Sequence, residues 1–341
     1  MPINKKSNGT YRTIKPYIKV NGSYREITNG WEKVAGSWRV IYESVSLVIY
    51  TASSDNTVKR LDSDGNEIWS YTGHTENVND VEADDQNNLV SVSDDELVKK
   101  LDASGNEIWS RYGGGYEKYS VAISNNYDVL YGDSNSAIRL DSSGNYLHTL
   151  DGVGSIDEKE AVAFDQNGNA FAGTFMVQGL SRPPFIFKCD PSGSQIWQRE
   201  PDSPSHGPQD LACDLDDNVY AAWNPYLLKY DPDGNLLFEL NNDALCVAVD
   251  LNNNFYIGDG DDNSVKKYDA GGTEVWSVTY TDPTNNIAVD SDGNSYITSA
   301  DNTVRKLDTN GSEVWSFSGH TDTVNGIAVT SGTYGSGFFS I

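Results

Sequence analysis

Leu61-Asp62-Ser63-Asp64-Gly65-Asn66-Glu67-Ile68-Trp69 is a phrase that the chain uses seven times. It returns as Leu101 to Trp109, Leu140 to His148, Cys189 to Trp197, Tyr230 to Phe238, Tyr268 to Trp276 and Leu307 to Trp315. Its glycines, Gly65, Gly105, Gly144, Gly193, Gly234, Gly272 and Gly311, are separated by 40, 39, 49, 41, 38 and 39 residues. A period of this size marks an array of small supersecondary units that bury their apolar faces against one another.

The interval between phrases holds three further strand signals. In the last full period, Asn286–Asp290 is a short apolar run, and Asp290-Ser291-Asp292-Gly293-Asn294 is a tight turn. Ser295–Ser299 reads as a second strand, and Thr303–Asp308 alternates as a third before the phrase turns into Glu313-Val314-Trp315-Ser316. Four short antiparallel strands linked by Asp/Asn/Gly turns describe a propeller blade. Seven such units predict an all-β, seven-bladed propeller over residues 45–341. The chain enters at a second strand, Leu47–Thr51, and ends with an inner strand, Asn325–Val329, that has no third or fourth strand after it. Joining these two halves in one blade closes the ring and removes its open edges.

Residues 1–44 form a separate domain with a shorter repeat. Asn8–Ile14, Asn21–Ile27 and Ala35–Ile41 superimpose, each pairing an aromatic residue with Arg: Tyr11-Arg12, Tyr24-Arg25 and Trp38-Arg39. Tyr17-Ile18-Lys19-Val20 likewise matches Trp31-Glu32-Lys33-Val34, so the segment reads as a chain of small β-hairpins. It carries eight basic and three acidic residues, whereas the remainder carries 16 basic and 47 acidic. An acidic body of this kind repels nucleic-acid phosphates and anionic membranes, and the basic head suits an acidic partner. No apolar run reaches the ~18 residues that a membrane span requires, and none follows the basic start, so neither membrane insertion nor a signal peptide is expected. Cys189, Cys213 and Cys246 are too scattered for a disulfide framework or a zinc site and read as core residues.

Residues 46–330 resemble the WD-repeat and NHL-type propeller families. Gly73-His74-Thr75 and Gly319-His320-Thr321 are similar to the glycine-histidine opening of WD repeats, and Ile287–Tyr296 is similar to NHL or quinoprotein-type repeats. The Trp-Asp pair of true WD repeats is absent. Residues 1–44 resemble the short KVNGxWK hairpin modules of tailed-bacteriophage virion proteins, which lie near a tail or fibre attachment end. The resemblance implies that Tyr11, Arg12, Tyr24, Arg25, Trp31, Trp38 and Arg39 dock on other virion proteins. It also implies a protein assembled into a virion within the host cytoplasm.

Chemistry-bearing motifs are sparse. Asp290-x-Asp292-x-Asn294 and its equivalents space oxygens as a calcium loop does, but an EF-hand needs Gly sixth and Glu twelfth, and here Gly293 is fourth and Asp301 twelfth. These segments read as turns. His74 and His320 occupy equivalent connections, where the WD-repeat likeness implies that they brace turns. His148 stands where other phrases carry Trp and reads as packing. There is no GxSxG elbow, phosphate-cradling loop or HExxH segment, so no catalytic residue, metal ligand or cofactor is assigned. The phrase tryptophans read as wedges between blades rather than a sugar-stacking series.

Binding is expected on the irregular loops, since rigid scaffolds place recognition there. The 49-residue interval has its excess in Asp151–Glu160, Met176–Pro184 and Glu200–Pro208. The candidate patch is Gln178, Leu180, Arg182, Pro183 and His206 with Trp223 and Tyr226, and its ligand a host-surface glycan or protein. The expected function is a non-enzymatic structural component of a tailed-virus particle. A non-viral interaction scaffold and a propeller lyase or lactonase are the alternatives.

Overall fold

The computed structural model describes residues 47–115, 117–134, 136–150, 161–174, 184–200 and 207–330 in full, and the backbone of six strands between residues 3 and 42. The chain divides into two units, Met1–Ser46 and Leu47–Ile341. In the first, Ile3–Ser7 pairs with Thr10–Ile14, Tyr17–Val20 with Ser23–Glu26, and Gly30–Val34 with Ser37–Tyr42, giving three successive antiparallel hairpins.

The second unit is an all-β, seven-bladed propeller of four-stranded antiparallel sheets. Blade I takes its inner strand from the end of the chain: Val324–Thr330 pairs with Val48–Ser53, followed outward by Val58–Leu61 and Glu67–Tyr71. The inner strands of blades II to VII are Val78–Ala83, Lys118–Ile123, Val162–Phe164, Pro208–Cys213, Ala244–Val249 and Thr284–Val289. Thr330 is the register partner of Val48, so the first and last described residues of the propeller leave from one face.

Strand composition follows position. Second strands such as Leu89-Val90-Ser91-Val92-Ser93 lie between neighbouring blades and are buried on both faces. Outer strands alternate instead: Trp69 packs toward the next blade while Ile68 remains 53% exposed.

The phrase glycine occupies a left-handed turn in every blade, with φ between 80° and 89°. In the sample phrase, the Asp62 carboxylate accepts the Asp64 and Asn66 amides at 2.9 Å, while Asn66 Nδ2 donates to its other oxygen at 3.1 Å. The Asp therefore replaces missing backbone partners and fixes the turn. In the first-to-second turns the left-handed residue is Gly only at Gly168 and Gly293. It is Asn87, Tyr127, Asp217 and Asn253 elsewhere.

Each phrase aromatic is an inter-blade wedge. Trp69 Nε1 donates to Ala103 O of the next blade at 3.1 Å and its ring lies over Gly105, where a Cβ would come within 3.1 Å of the indole. Trp109, Trp197, Trp276 and Trp315 repeat the contact on Gly144, Gly234, Gly311 and Gly65. His148 does the same through Nε2 to Pro191 O at 3.2 Å, over Gly193. Cys189, Cys213 and Cys246 are free and buried.

Candidate functional site

The two histidines at equivalent blade connections are latches. His74, in the connection from blade I to blade II, places Nδ1 2.9 Å from Asp95 Oδ2 and Nε2 2.9 Å from Ser91 Oγ. His320 repeats this with Asp55 at 3.0 Å and Thr51 at 2.8 Å, joining the last blade to the first. Burial alone would raise the Asp95 carboxyl, but hydrogen bonds from His74 and from the Thr75 and Leu97 amides hold it down at about 2. Burial also lowers His320, partly offset by Asp55. The Ser-His-Asp order matches a hydrolase triad, but Ser91 is fully buried beneath the ring and presents no nucleophile to an open site.

An open site exists on the propeller axis. Six inner strands carry a β-bulge at one position, after Val78, Lys118, Pro208, Ala244, Thr284 and Val324. The extra residue puts Asp80, Ser120, Asp210, Cys246, Asn286 and Gly326 at equivalent places in the inner strands; Asp80, Ser120, Asp210 and Asn286 line the axial space, whereas Cys246 packs between blades VI and VII. Above this collar, on the face of the blade connections, lies a cavity of about 830 Å³ bounded by Asn79, Asp94, Glu117, Tyr119, Gln209, Asn285 and Asn325 among others. Asp80, Ser120, Asp210 and Asn286 also line a pocket of about 30 Å³ further down, beside Glu82 and Val162–Phe164.

The hydrogen bonds at this mouth are distributed unevenly. Asn79 Nδ2 donates to Lys118 O at 2.8 Å, Asn285 Nδ2 to Val324 O at 2.9 Å and Asn325 Nδ2 to Val78 O at 2.9 Å, each clipping one inner strand to the next. Asn79 and Asn325 thereby spend both amide hydrogens on the protein, donating also to Asp94 and Ser54, whereas Gln209 and Asn286 line the same cavity and the Asn286 oxygen accepts the Ile287 amide. Asp80 accepts the Val81 and Val121 amides, one on each oxygen, and Asp210 accepts those of Leu211 and Val247. Burial pushes both carboxyls up to about 7 despite these bonds, and the charge of Asp210 adds to the rise at Asp80.

The sequence-derived patch is only partly accessible to description: Gln178, Leu180, Arg182, Pro183 and His206 lie outside the described residues. Trp223 is 1% exposed, packed between blades IV and V with Phe171, Leu211 and Tyr230, so its ring belongs to the core rather than to a surface patch. Tyr226 leans partly buried against the same cluster. The side chains of Tyr11, Arg12, Tyr24, Arg25, Trp31, Trp38 and Arg39 are likewise outside the described residues, although all seven fall on hairpin strands. Asp80 and Asp210 escaped the sequence reading; their signal is an acidic residue at the third position of the inner strand, just before an apolar one, at a fixed place in the repeat. Among the described residues, no group of three or more His, Cys, Asp or Glu side chains is arranged to hold a metal ion.

Solved structures share this architecture. The computationally designed protein Ika8 superimposes with a TM-score of 0.61 over 86% of this chain and 92% of its own, at 19% identity, which shows the fold alone. With 1138 solved chains matching, the fold does not select a function. No curated protein matches the sequence. The family model described as outer membrane protein assembly factor BamB matches residues 28–186 and 185–335. These matches span most of its length, and the chain belongs to the family of the outer membrane protein assembly factor BamB.

Proposed function

We propose that this chain is a non-catalytic binding propeller that is tethered by its hairpin segment and presents its axial cavity to a partner. The observation that carries the reading is the polar cavity of about 830 Å³ at the channel mouth, on a ring whose His74 and His320 are engaged in latches and whose Asp62 is engaged in a turn. We place it in the particle of a tailed virus, in the tail, fibre or capsid-attached layer, facing a host-surface glycan or protein. Three consecutive hairpins with aromatic-Arg pairs support that setting, because they repeat the pattern of virion attachment modules. The two histidine latches support a WD-repeat-like character for blades I and II.

A second reading is favoured by the family match: a scaffold for protein assembly at an outer membrane, as the family's name says of its members. Fractionation separates the two. In the producing cell, the full chain should sediment with virus particles, and a triple variant Arg12→Glu, Arg25→Glu and Arg39→Glu should leave the particle fraction with an unchanged thermal unfolding midpoint. Recovery of the wild-type chain with outer membranes, and none with particles, would establish the second reading instead.

A further inference from the structure

We infer that the outer edges of blades III and IV receive an extended, uncharged strand with aliphatic side chains from a partner protein, which continues the sheet of a blade. This surface lies on the rim of the propeller and does not depend on the reading of the axial cavity.

Two blades lack a charge that the other five carry. In each four-stranded sheet the outermost strand has a neighbour on one side only, so its other side presents unpaired main-chain N–H and C=O groups. A charged side chain on such an edge deters an added strand. Five of the seven outer strands carry one carboxylate each: Glu67, Glu107, Glu239, Glu274 and Glu313. The outer strands of blades III and IV, Tyr146–Thr149 and Gln195–Arg199, carry none.

This loss is coupled to a second one. In blades I and II, Lys59 and Lys99 of the third strand lie 3.0 Å from Glu67 and Glu107, and in blade VII Arg305 Nε lies 3.6 Å from Glu313. The same third-strand place is Ile138 in blade III and Phe187 in blade IV. Both members of the ion pair are thus exchanged for uncharged residues. Blade V makes the same exchange, to Leu228 and Leu236, but places Glu239 further along its edge. On blades III and IV the rim exposes Tyr146 and Ile196, each 52% exposed, and Leu147 at 44%. Arg199, the one permanent charge on these two strands, is turned to the next blade, where its guanidinium lies over the Trp197 ring and donates to Asp233 O and Gly234 O.

These features select the occupant. Open main-chain groups are matched by an extended strand, whose backbone hydrogen bonds supply affinity while its alternate side chains meet those of the edge. Leu147 and Ile196 suit aliphatic side chains, and a strand laid on an edge without Glu desolvates no carboxylate. A basic segment finds its complement on the five edges with Glu, so the two without it suit a neutral one. A second copy is disfavoured, because each chain has a net charge of −26. The chain also departs from its own repeat at these two edges: the irregular connections Asp151–Glu160 and Glu200–Pro208 follow the same two strands in the sequence.

The test uses the full chain and the blocked peptide Gly-Thr-Val-Thr-Val-Thr-Gly in isothermal titration. The control is the same peptide N-methylated at two successive central residues, which removes a donor from each of its edges. The expected result is saturable binding of the unmodified peptide, with the N-methylated one at least about tenfold weaker, about 1.4 kcal/mol. Tyr146→Glu with Gln195→Glu gives both edges the residue that four other blades carry at this place. This double variant should weaken binding by a similar factor with an unchanged thermal unfolding midpoint, whereas Val314→Glu on blade VII should leave binding as it was. Leu147→Ser with Ile196→Ser, at exposed positions, removes the aliphatic contact while keeping the edges neutral, and should weaken binding as well. Absence of saturable binding, equal affinity for the N-methylated peptide, or binding untouched by both double variants would overturn the inference. So would a dimer in sedimentation velocity that either double variant abolishes, because the edge would then serve a second copy.

Discussion

Asp80 and Asp210 show how one residue's surroundings set its cost. Both are held in a narrow polar collar where burial lifts the carboxyl to about 7. In the unfolded chain the same group titrates near 4. Between these values the folded state binds more protons than the unfolded one, so each residue's contribution to stability falls as the pH climbs from about 4 to about 7. Asp80→Asn and Asp210→Asn should therefore flatten the decline of the thermal midpoint over that window, and curves parallel to wild type would refute the assignment. Asp95 has the opposite sign: its carboxyl is held at about 2, so its stabilisation is complete above about 4 and disappears as the pH falls through 2. Replacing His74 by Ala leaves Asp95 and Ser91 without their partner inside the protein. The expected cost is about 1–3 kcal/mol, read from chemical denaturation at neutral pH.

At the scale of the element, the repeated phrase is a joint. Its Asp fixes a turn, its Gly supplies the left-handed backbone, and the absence of a Cβ on that Gly gives the preceding blade's indole a surface to lie on. Gly144 meets both demands, with φ at 81° and a Cβ position only 2.9 Å from the Trp109 ring. Gly144→Ala should cost about 1–3 kcal/mol through the backbone alone, and more through displacement of Trp109. Tryptophan fluorescence should shift red along with the lost stability. The fifth blade departs from this scheme. Phe238 stacks with Phe255 and packs edge-on to Tyr220, and a Cβ at Gly272 would meet nothing nearer than Leu240 at 3.9 Å. Gly272→Ala should consequently cost less than Gly144→Ala, since only the backbone term remains.

The ring as a whole depends on one strand. Val324–Thr330 supplies the inner edge of blade I, His320 latches to Asp55, Trp315 caps Ser63, and Asn325 reaches both Ser54 and Val78. Stopping the chain before Gly319 would leave Val48–Ser53 as an exposed apolar edge. Such a variant should self-associate in size-exclusion chromatography and lose a single cooperative unfolding transition. A circular permutant that links Thr330 to Leu47 by a short Gly/Ser segment, with new ends between Tyr280 and Pro283, should keep both, because Thr330 and Val48 are already register partners.

The sequence alone determined the number of blades, the strand order, the closing strand and the wedge role of the phrase aromatics. Each of these is written in local periodicity: seven glycines at a common spacing require seven turns, and an aromatic at a fixed offset must meet the next turn in a closed ring. Turn chemistry was legible where only Gly fits. It was less so where hydrogen bonds to Asp, or to Ser124 at Tyr127, hold Asn, Asp or Tyr in the same left-handed conformation. The binding site was not legible in this way. Trp223 looks like a surface aromatic in the sequence, yet blades IV and V close over it, because burial depends on neighbours about 50 residues distant. Asp80 and Asp210 are 130 residues apart, and no local pattern joins them. Only closure of the ring brings the two carboxylates to one axis. Only closure also lets Asn79, Asn285 and Asn325 clip each inner strand to the next around that axis.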